Sequence, residues 1–226
     1  MNKSTSTLPS IFTLLNLSLG VLSILYTIQG NFLIGAFSIL LATLSDSLDG
    51  FVARKIRAES TFGKELDSLA DLTSFGIAPS ILIYLKYFSP ILPTSIYLHV
   101  WGVLITMFFP ICGAIRLARF NISPPSQNFT GLPIPAAGGF LAALSLSYPK
   151  LKSTFFLIPN ICLTFIILSL SILMVSNLTY PKYKRKDLSS KGKSRLYLLF
   201  LSCLLPLFNY KLLFLPFLLY ILFGII

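Results

Sequence analysis

The chain has 226 residues, of which 55% are hydrophobic and only 11% charged, and its mean hydropathy is +0.83. So little charge cannot clothe a water-exposed surface, which excludes a soluble globular protein and leaves an integral membrane protein. The net charge of +11 would suggest nucleic acid in a soluble chain. Here the Lys and Arg cluster beside apolar runs, where they read as orientation signals and contacts with anionic lipid headgroups, with no nucleic-acid partner.

The first apolar run, Leu8 to Ile28, is long enough to cross a bilayer. One lysine precedes it and it has no convincing small-residue cleavage site, so it is expected to remain as a membrane helix and not to be removed as a secretory signal. Thr13, Asn16 and Gly20 recur along it at helical spacing, a polar and small stripe that should face the bundle. A second helix, about Phe32 to Lys55, carries Asp46 and Asp49 at its polar end. The charged segment Arg57 to Lys64, with Ser60 and Thr61, should be an interfacial elbow. A third helix, about Lys64 to Phe88, holds Asp67 and Asp71 in its first turns, and Pro79 implies a local kink. The fourth, about Ser95 to Phe120, ends in R-L-A-R-F-N, Arg116 to Asn121.

A polar loop over 122–130 leads to G-L-P-I-P-A-A (131–137), which opens a fifth helix reaching about Tyr148. Its prolines suit a helix start and its small residues suit close packing. The sixth helix covers about Phe155 to Leu178, and a loop with seven Lys and Arg follows over 181–195. Two shorter apolar runs, about Leu196 to Phe208 and Leu212 to Ile226, finish the chain as a C-terminal hairpin. The expected fold is therefore all-α: a polytopic transmembrane helix bundle over 1–180, the basic loop 181–195, and a C-terminal pair of apolar helices over 196–226. With eight spans and a cytoplasmic N-terminus, 14 of the 18 Lys and Arg fall on the cytoplasmic side, which places both termini and the aspartates inside. Cys112, Cys162 and Cys203 lie in or beside apolar runs and read as small hydrophobes, with no disulfide or zinc site indicated. His99, beside Trp101 near a membrane boundary, reads as interfacial.

Four of the seven acidic residues, Asp46, Asp49, Asp67 and Asp71, sit within 26 positions of one another against apolar runs. An unpaired charge there is costly, and a divalent cation is the obvious partner. Asp46 and Asp49 are spaced i,i+3, and Asp67 and Asp71 i,i+4, so each pair projects from one helix face. Gly50 and Ala53 fall near the face of the first pair and leave room for a helix or ligand, and Arg54 follows, placed to meet phosphate. Gly63 can break the chain between the helices or let a ligand approach the backbone. Oxygen-only ligands suit Mg²⁺ or Mn²⁺ better than zinc. Two such helices with their carboxylates converged could hold one or two metals against a pyrophosphate.

This stretch resembles the signature of the CDP-alcohol phosphotransferases, D-x-x-D-G-x-x-A-R-x8-G-x3-D-x3-D, with every fixed position present. D-S-L-A-D-L-T-S-F-G-I-A-P (67–79), R-L-A-R-F-N (116–121) and G-L-P-I-P-A-A (131–137) look like the membrane-integral phosphatidylserine synthases, with Gly113-Ala114 where a familiar variant has Ser-Ala. The similarity covers roughly residues 8–180. It implies a six-helix core, a homodimer, and transfer of the phosphatidyl group from CDP-diacylglycerol to L-serine with release of CMP. It also implies metal ligation by Asp46, Asp49, Asp67 and Asp71, with Asp71 as general base. Gly50, Ala53, Arg54, Ser60, Gly63 and Asn16 are the positions expected around the CDP-lipid. Arg116, Arg119 and Asn121 could hold the serine carboxylate or the lipid phosphate.

Two other readings remain open at this point. A different enzyme of the same superfamily would take an ether lipid, or inositol or glycerol phosphate as acceptor. A cation transporter would use the carboxylates as an intramembrane ion site, but would favour them near mid-membrane. Here they lie at helix ends beside Arg54, which suits a phosphate ligand.

Overall fold

The N-terminal helix α1, Thr7–Ile28, has 22 residues and rises about 33 Å, enough to cross the hydrocarbon core of a bilayer. In the computed structural model, the described residues are 7–56, 61–91, 96–123, 129–147, 157–180 and 209–225. After α1 the chain turns through Gly30, whose φ of 82° lies in the left-handed region that glycine alone enters without strain. It returns as α2, Phe32–Ile56. The two pack along their length as a hairpin, and Ser45 Oγ donates to the Phe12 carbonyl at 3.0 Å near the end where the aspartates sit.

The third span is one continuous helical rod, Thr61–Phe88, built from α3 (Thr61–Asp71), a π-helical segment (Leu72–Ile77), α4 (Ala78–Ile83) and a second π segment (Tyr84–Phe88). It is already helical at Thr61, three residues earlier than the sequence suggests, and residues 57–60 of the expected elbow lie outside the described residues. The anticipated irregularity at Pro79 is a π turn just before the proline. A proline cannot donate to the i−4 carbonyl and its ring crowds it, so a wider turn relieves both problems. Next comes α5, Ile96–Ile122, with Pro110 inside it.

Helices α6, Ile134–Ser147, and α7, Leu157–Val175, are shorter than expected at the ends that face one another. Their flanking backbone is spent on a two-residue antiparallel bridge between β1, Phe129–Thr130, and β2, Thr179–Tyr180. Gly131, at φ 74°, continues it: its N–H donates to the Leu178 carbonyl at 2.8 Å, and a Cβ there would fall on the Met174 carbonyl. The last described helix is α8, Phe214–Ile225, which packs on α6. The basic loop 181–195 and the apolar run 196–208 lie outside the described residues.

Among the described residues, four helices are long and apolar enough to cross a membrane, at Ile11–Ile28, Phe32–Asp49, Thr61–Phe88 and His99–Ile122. Their outward faces carry large exposed apolar side chains such as Leu14, Leu25, Leu41, Leu44, Leu104 and Ile111. Such a surface suits a lipid environment. Phe75, Leu82, Phe109, Leu132 and Ile134 fill the centre, where the third span meets α5 and α6. Close approach depends on glycines: Gly20 faces Ser74, Gly102 faces Phe88, Gly113 faces Ile134, Gly138 faces the Phe75 carbonyl and Gly139 faces Phe217. All of these contacts are within one chain. The protein is thus a polytopic helix bundle, with the small strand bridge as its one departure from all-α among the described residues.

Candidate active site

Asp46 and Asp49 lie in the C-terminal half of α2, and Asp67 and Asp71 in the N-terminal half of the third span; side-chain oxygens of Asp46, Asp67 and Asp71 all lie within 4.8 Å of one another. Helical spacing aligns Asp67 and Asp71 on α3, and the packing of α1 against both α2 and α3 brings Asp46 across to them. Three carboxylates this close repel strongly in a poorly hydrated setting, so the cluster needs a bound proton or compensating positive charge. The donor set is all oxygen, which fits a small hard divalent cation. Asp46 and Asp67 are half-buried and Asp71 is buried, so the cluster is open on one side and closed at Asp71.

Asp49, the remaining carboxylate, is outside this group of three. Its Oδ2 accepts a hydrogen bond from Thr13 Oγ1 on α1, and its charge is near enough to Asp67 to act on it. Asp71 is held from the same helix: Asn16 Nδ2 donates to Asp71 Oδ1 at 3.2 Å. Behind Asp71 lies Arg116, 7% exposed, whose positive charge acts on Asp71 and Asp46 and whose guanidinium carbon stands 5.8 Å from the Phe120 ring centroid. Tyr220 of α8 is also within electrostatic reach of Arg116. One cation and two neutral donors therefore surround the carboxylates from within the bundle.

The three polar residues at the end of α5 go to different places. Arg116 turns inward. Arg119 is tied to the end of α7, with Nη1 donating to the Val175 carbonyl at 2.6 Å and Nη2 to Asn177 Oδ1 at 2.8 Å. Asn121 clasps α3: its Nδ2 donates to Ser68 Oγ at 3.0 Å and to Glu65 Oε2 at 3.2 Å, and its carbonyl accepts from Lys64 Nζ at 2.9 Å. Gly50, Ala53 and Arg54 occupy the last turns of α2, and Gly63 the first turn of α3, so they flank the cluster by position. Ser60 lies outside the described residues. His99 sits elsewhere, near the second π segment, with its Nε2 3.0 Å from the Tyr84 hydroxyl.

A carboxylate cluster open on one side, with an arginine behind it, suits the binding of a metal-complexed phosphate ester. The sequence profile of CDP-alcohol phosphatidyltransferases matches residues 6–175. The chain belongs to this family. The matched region contains every residue of the cluster and ends at the last residue of α7, so α8 lies beyond it.

Three relatives bring the comparison closer to a single activity. The archaetidylserine synthase of Methanothermobacter thermautotrophicus is 38% identical over 180 residues, covering 77% of this chain and 70% of that protein. The CDP-diacylglycerol–serine O-phosphatidyltransferase of Helicobacter pylori is 38% identical over 183 residues, covering 78% of this chain and 73% of its own length. The enzyme of the same name from Bacillus subtilis is 36% identical over 179 residues, which make up 79% of this chain and 92% of that protein. All three names specify serine, although they differ in the lipid.

Sequence reasoning singled out the four aspartates and Arg116 but gave Thr13 no part beside them. The signal was present, since Thr13 and Asn16 form the i,i+3 polar stripe of α1. Their partners lie 36 and 55 residues away, so only the folded chain pairs them.

Proposed function

We propose that this family member is a phosphatidylserine synthase, transferring the phosphatidyl group of CDP-diacylglycerol to the hydroxyl of L-serine and releasing CMP. The observation that carries the reading is the convergence of Asp46, Asp67 and Asp71 with Arg116 behind them. The serine-specific names of the relatives support it.

Asp46, Asp67 and Asp71, with Asp49 alongside, are the residues that would hold Mg²⁺ or Mn²⁺. The bound cation supplies neutralisation of the pyrophosphate charge. The chain's own residues do the rest. Asp71 takes the proton of the serine hydroxyl as its oxygen bonds to the lipid-linked phosphorus. The bond from that phosphorus to the bridging oxygen breaks, and CMP leaves with the electron pair. Arg116 offers the buried positive charge that the serine carboxylate needs when it leaves water. Arg54, Gly50, Ala53, Ser60 and Gly63 flank the nucleotide end, where Arg54 meets phosphate. The reaction takes place on the cytoplasmic side, as the distribution of Lys and Arg indicates. The enzyme works as a homodimer, a reading that rests on the family resemblance, because Gly102, Gly113, Gly138 and Gly139 meet groups of the same chain.

A second reading is favoured by one relative's name: archaetidylserine synthesis, with the same acceptor on an ether lipid. Purified protein in lipid should release CMP from CDP-diacylglycerol only when L-serine is added, and inositol and glycerol phosphate should not replace it. CMP release that ignores serine sinks the proposal. A strong preference for the ether-linked CDP-lipid over its ester counterpart selects the second reading.

A further inference from the structure

The amide of Asn16 is an expensive group at its position. It is fully buried in a membrane helix, where an unsatisfied polar group costs several kcal/mol. Only one of its two ends is satisfied: Nδ2 donates to Asp71 Oδ1, whereas Oδ1 is buried and has no hydrogen-bond partner among the described residues. A carboxylate only accepts, so the amide must present its N–H groups to Asp71. The backbone locks this arrangement. The Asn16 carbonyl accepts from Ser74 Oγ at 2.8 Å, and a Cβ on Gly20 would run into the Ser74 backbone, so α1 cannot slide along the third span. One turn before Asn16, Thr13 donates to Asp49 in the same manner.

We propose that Asn16 is a positioning residue that acts through Asp71, with Thr13 doing the same for Asp49. The terminal torsion of an aspartate is soft, and Asp71 stands among Asp46 and Asp67, whose charges push it aside. By holding Oδ1, Asn16 fixes the plane of the carboxylate and leaves the second oxygen directed for its work on the acceptor hydroxyl. Hydrogen-bonding partners of this kind around ligating carboxylates contribute about 10–100-fold in metal affinity or activity. Asn16 therefore belongs to the transfer step and not to recognition of the CDP-lipid. This inference rests on the proposed serine transfer for its kinetic arm alone.

The test compares the parent full-length protein with Asn16→Leu, which preserves volume, and Asn16→Asp, which preserves shape and cannot donate when ionised. All are assayed in lipid nanodiscs for CMP release, with kcat and the KM for CDP-diacylglycerol measured separately. Mn²⁺ binding to Asn16→Leu is followed by electron paramagnetic resonance without serine. The expected result, with kinetics read at saturating Mg²⁺, is a loss of about 10–100-fold in kcat for both variants at unchanged KM for CDP-diacylglycerol, with weakened Mn²⁺ binding in Asn16→Leu. Normal kcat in either variant overturns the inference. So does a rise in the KM for CDP-diacylglycerol that accounts for the loss, which would make Asn16 a nucleotide contact, or unaltered Mn²⁺ binding, which would mean that Asp71 has not moved. If Asn16→Leu does not elute as a single species, Asn16→Ala takes its place in both measurements. If the parent releases no CMP with serine, the functional proposal has failed, and the Mn²⁺ titration still decides the role of Asn16.

Discussion

Replacing Asp71 by Asn separates its two prospective roles, and the structure says how much each should cost. The substitution keeps the shape of the side chain, and the new amide can still present an oxygen to Asn16 Nδ2, so the α1 contact survives. Arg116 keeps a second acidic neighbour in Asp46, so it is not left as a buried, uncompensated charge. The protein should therefore insert and fold. Losing a positioned base costs about 10²–10⁴ in rate, or about 3–5 kcal/mol of barrier. Asp46, Asp67 and the adjacent Asp49 still offer three carboxylates to a cation. Asp71→Asn should therefore abolish most transfer while, at saturating Mg²⁺, largely retaining affinity for CDP-diacylglycerol. Asp46→Asn should lose both. The assay is nucleotide-lipid binding as a function of Mg²⁺, set beside CMP release at saturating serine. Equal loss of binding in the two variants would refute the assignment and make Asp71 chiefly a ligand.

Treatment with EDTA should abolish CMP release, and Mg²⁺ or Mn²⁺ should restore it; full turnover in the chelator removes the metal from the mechanism. Arg116→Met should raise the KM for serine by about 30-fold or more, since removing one member of a buried charge pair costs at least about 2 kcal/mol; an unchanged serine KM places the carboxylate elsewhere. Gly138→Ala should lower the Tm: its Cβ meets the Phe75 backbone carbonyl, which cannot turn aside, so an overpacking cost of about 1–3 kcal/mol outweighs the helix-propensity gain of about 0.5–1 kcal/mol. A rise in Tm would show that α6 yields freely. Mass measurement in mild detergent or nanodiscs should give a dimer, and a purely monomeric species would remove that proposal.

The aspartates were legible because helical spacing is a local property, and two carboxylates one turn apart must share a face wherever the helix sits. The apolar spans were legible for a similar reason, as length and hydropathy need no tertiary partner. The division of labour between Arg116 and Arg119 was not. An i,i+3 pair lies on neighbouring faces of a helix, and α5 is apolar on all sides, so nothing local says which arginine turns inward. Asn121 was ambiguous too, because its use as a clasp depends on Glu65 and Ser68, more than 50 positions away. The ends of α6 and α7 moved inward because Gly131 and Leu132 give their N–H groups to the end of α7, a pairing that propensity cannot anticipate. The π turn was foreshadowed by Pro79 only as an irregularity of unspecified form.

The supply of orienting groups by α1 also has a consequence for biosynthesis. This helix is made before the others described above, carrying Thr13 and Asn16 on its inward face, together with Ser23 and Thr27, which are also buried. Chains emerge from the N-terminus, so these groups meet lipid before their partners exist. The partner of Thr13 arrives with α2 and that of Asn16 only with α3, while Arg116 follows with α5. Each arriving span relieves a polar debt left by an earlier one, so the order of synthesis is also the order in which the site is completed. Truncations that stop before α3 should leave α1 short of a partner inside the bilayer, and such nascent chains should be the ones that membrane quality control removes first.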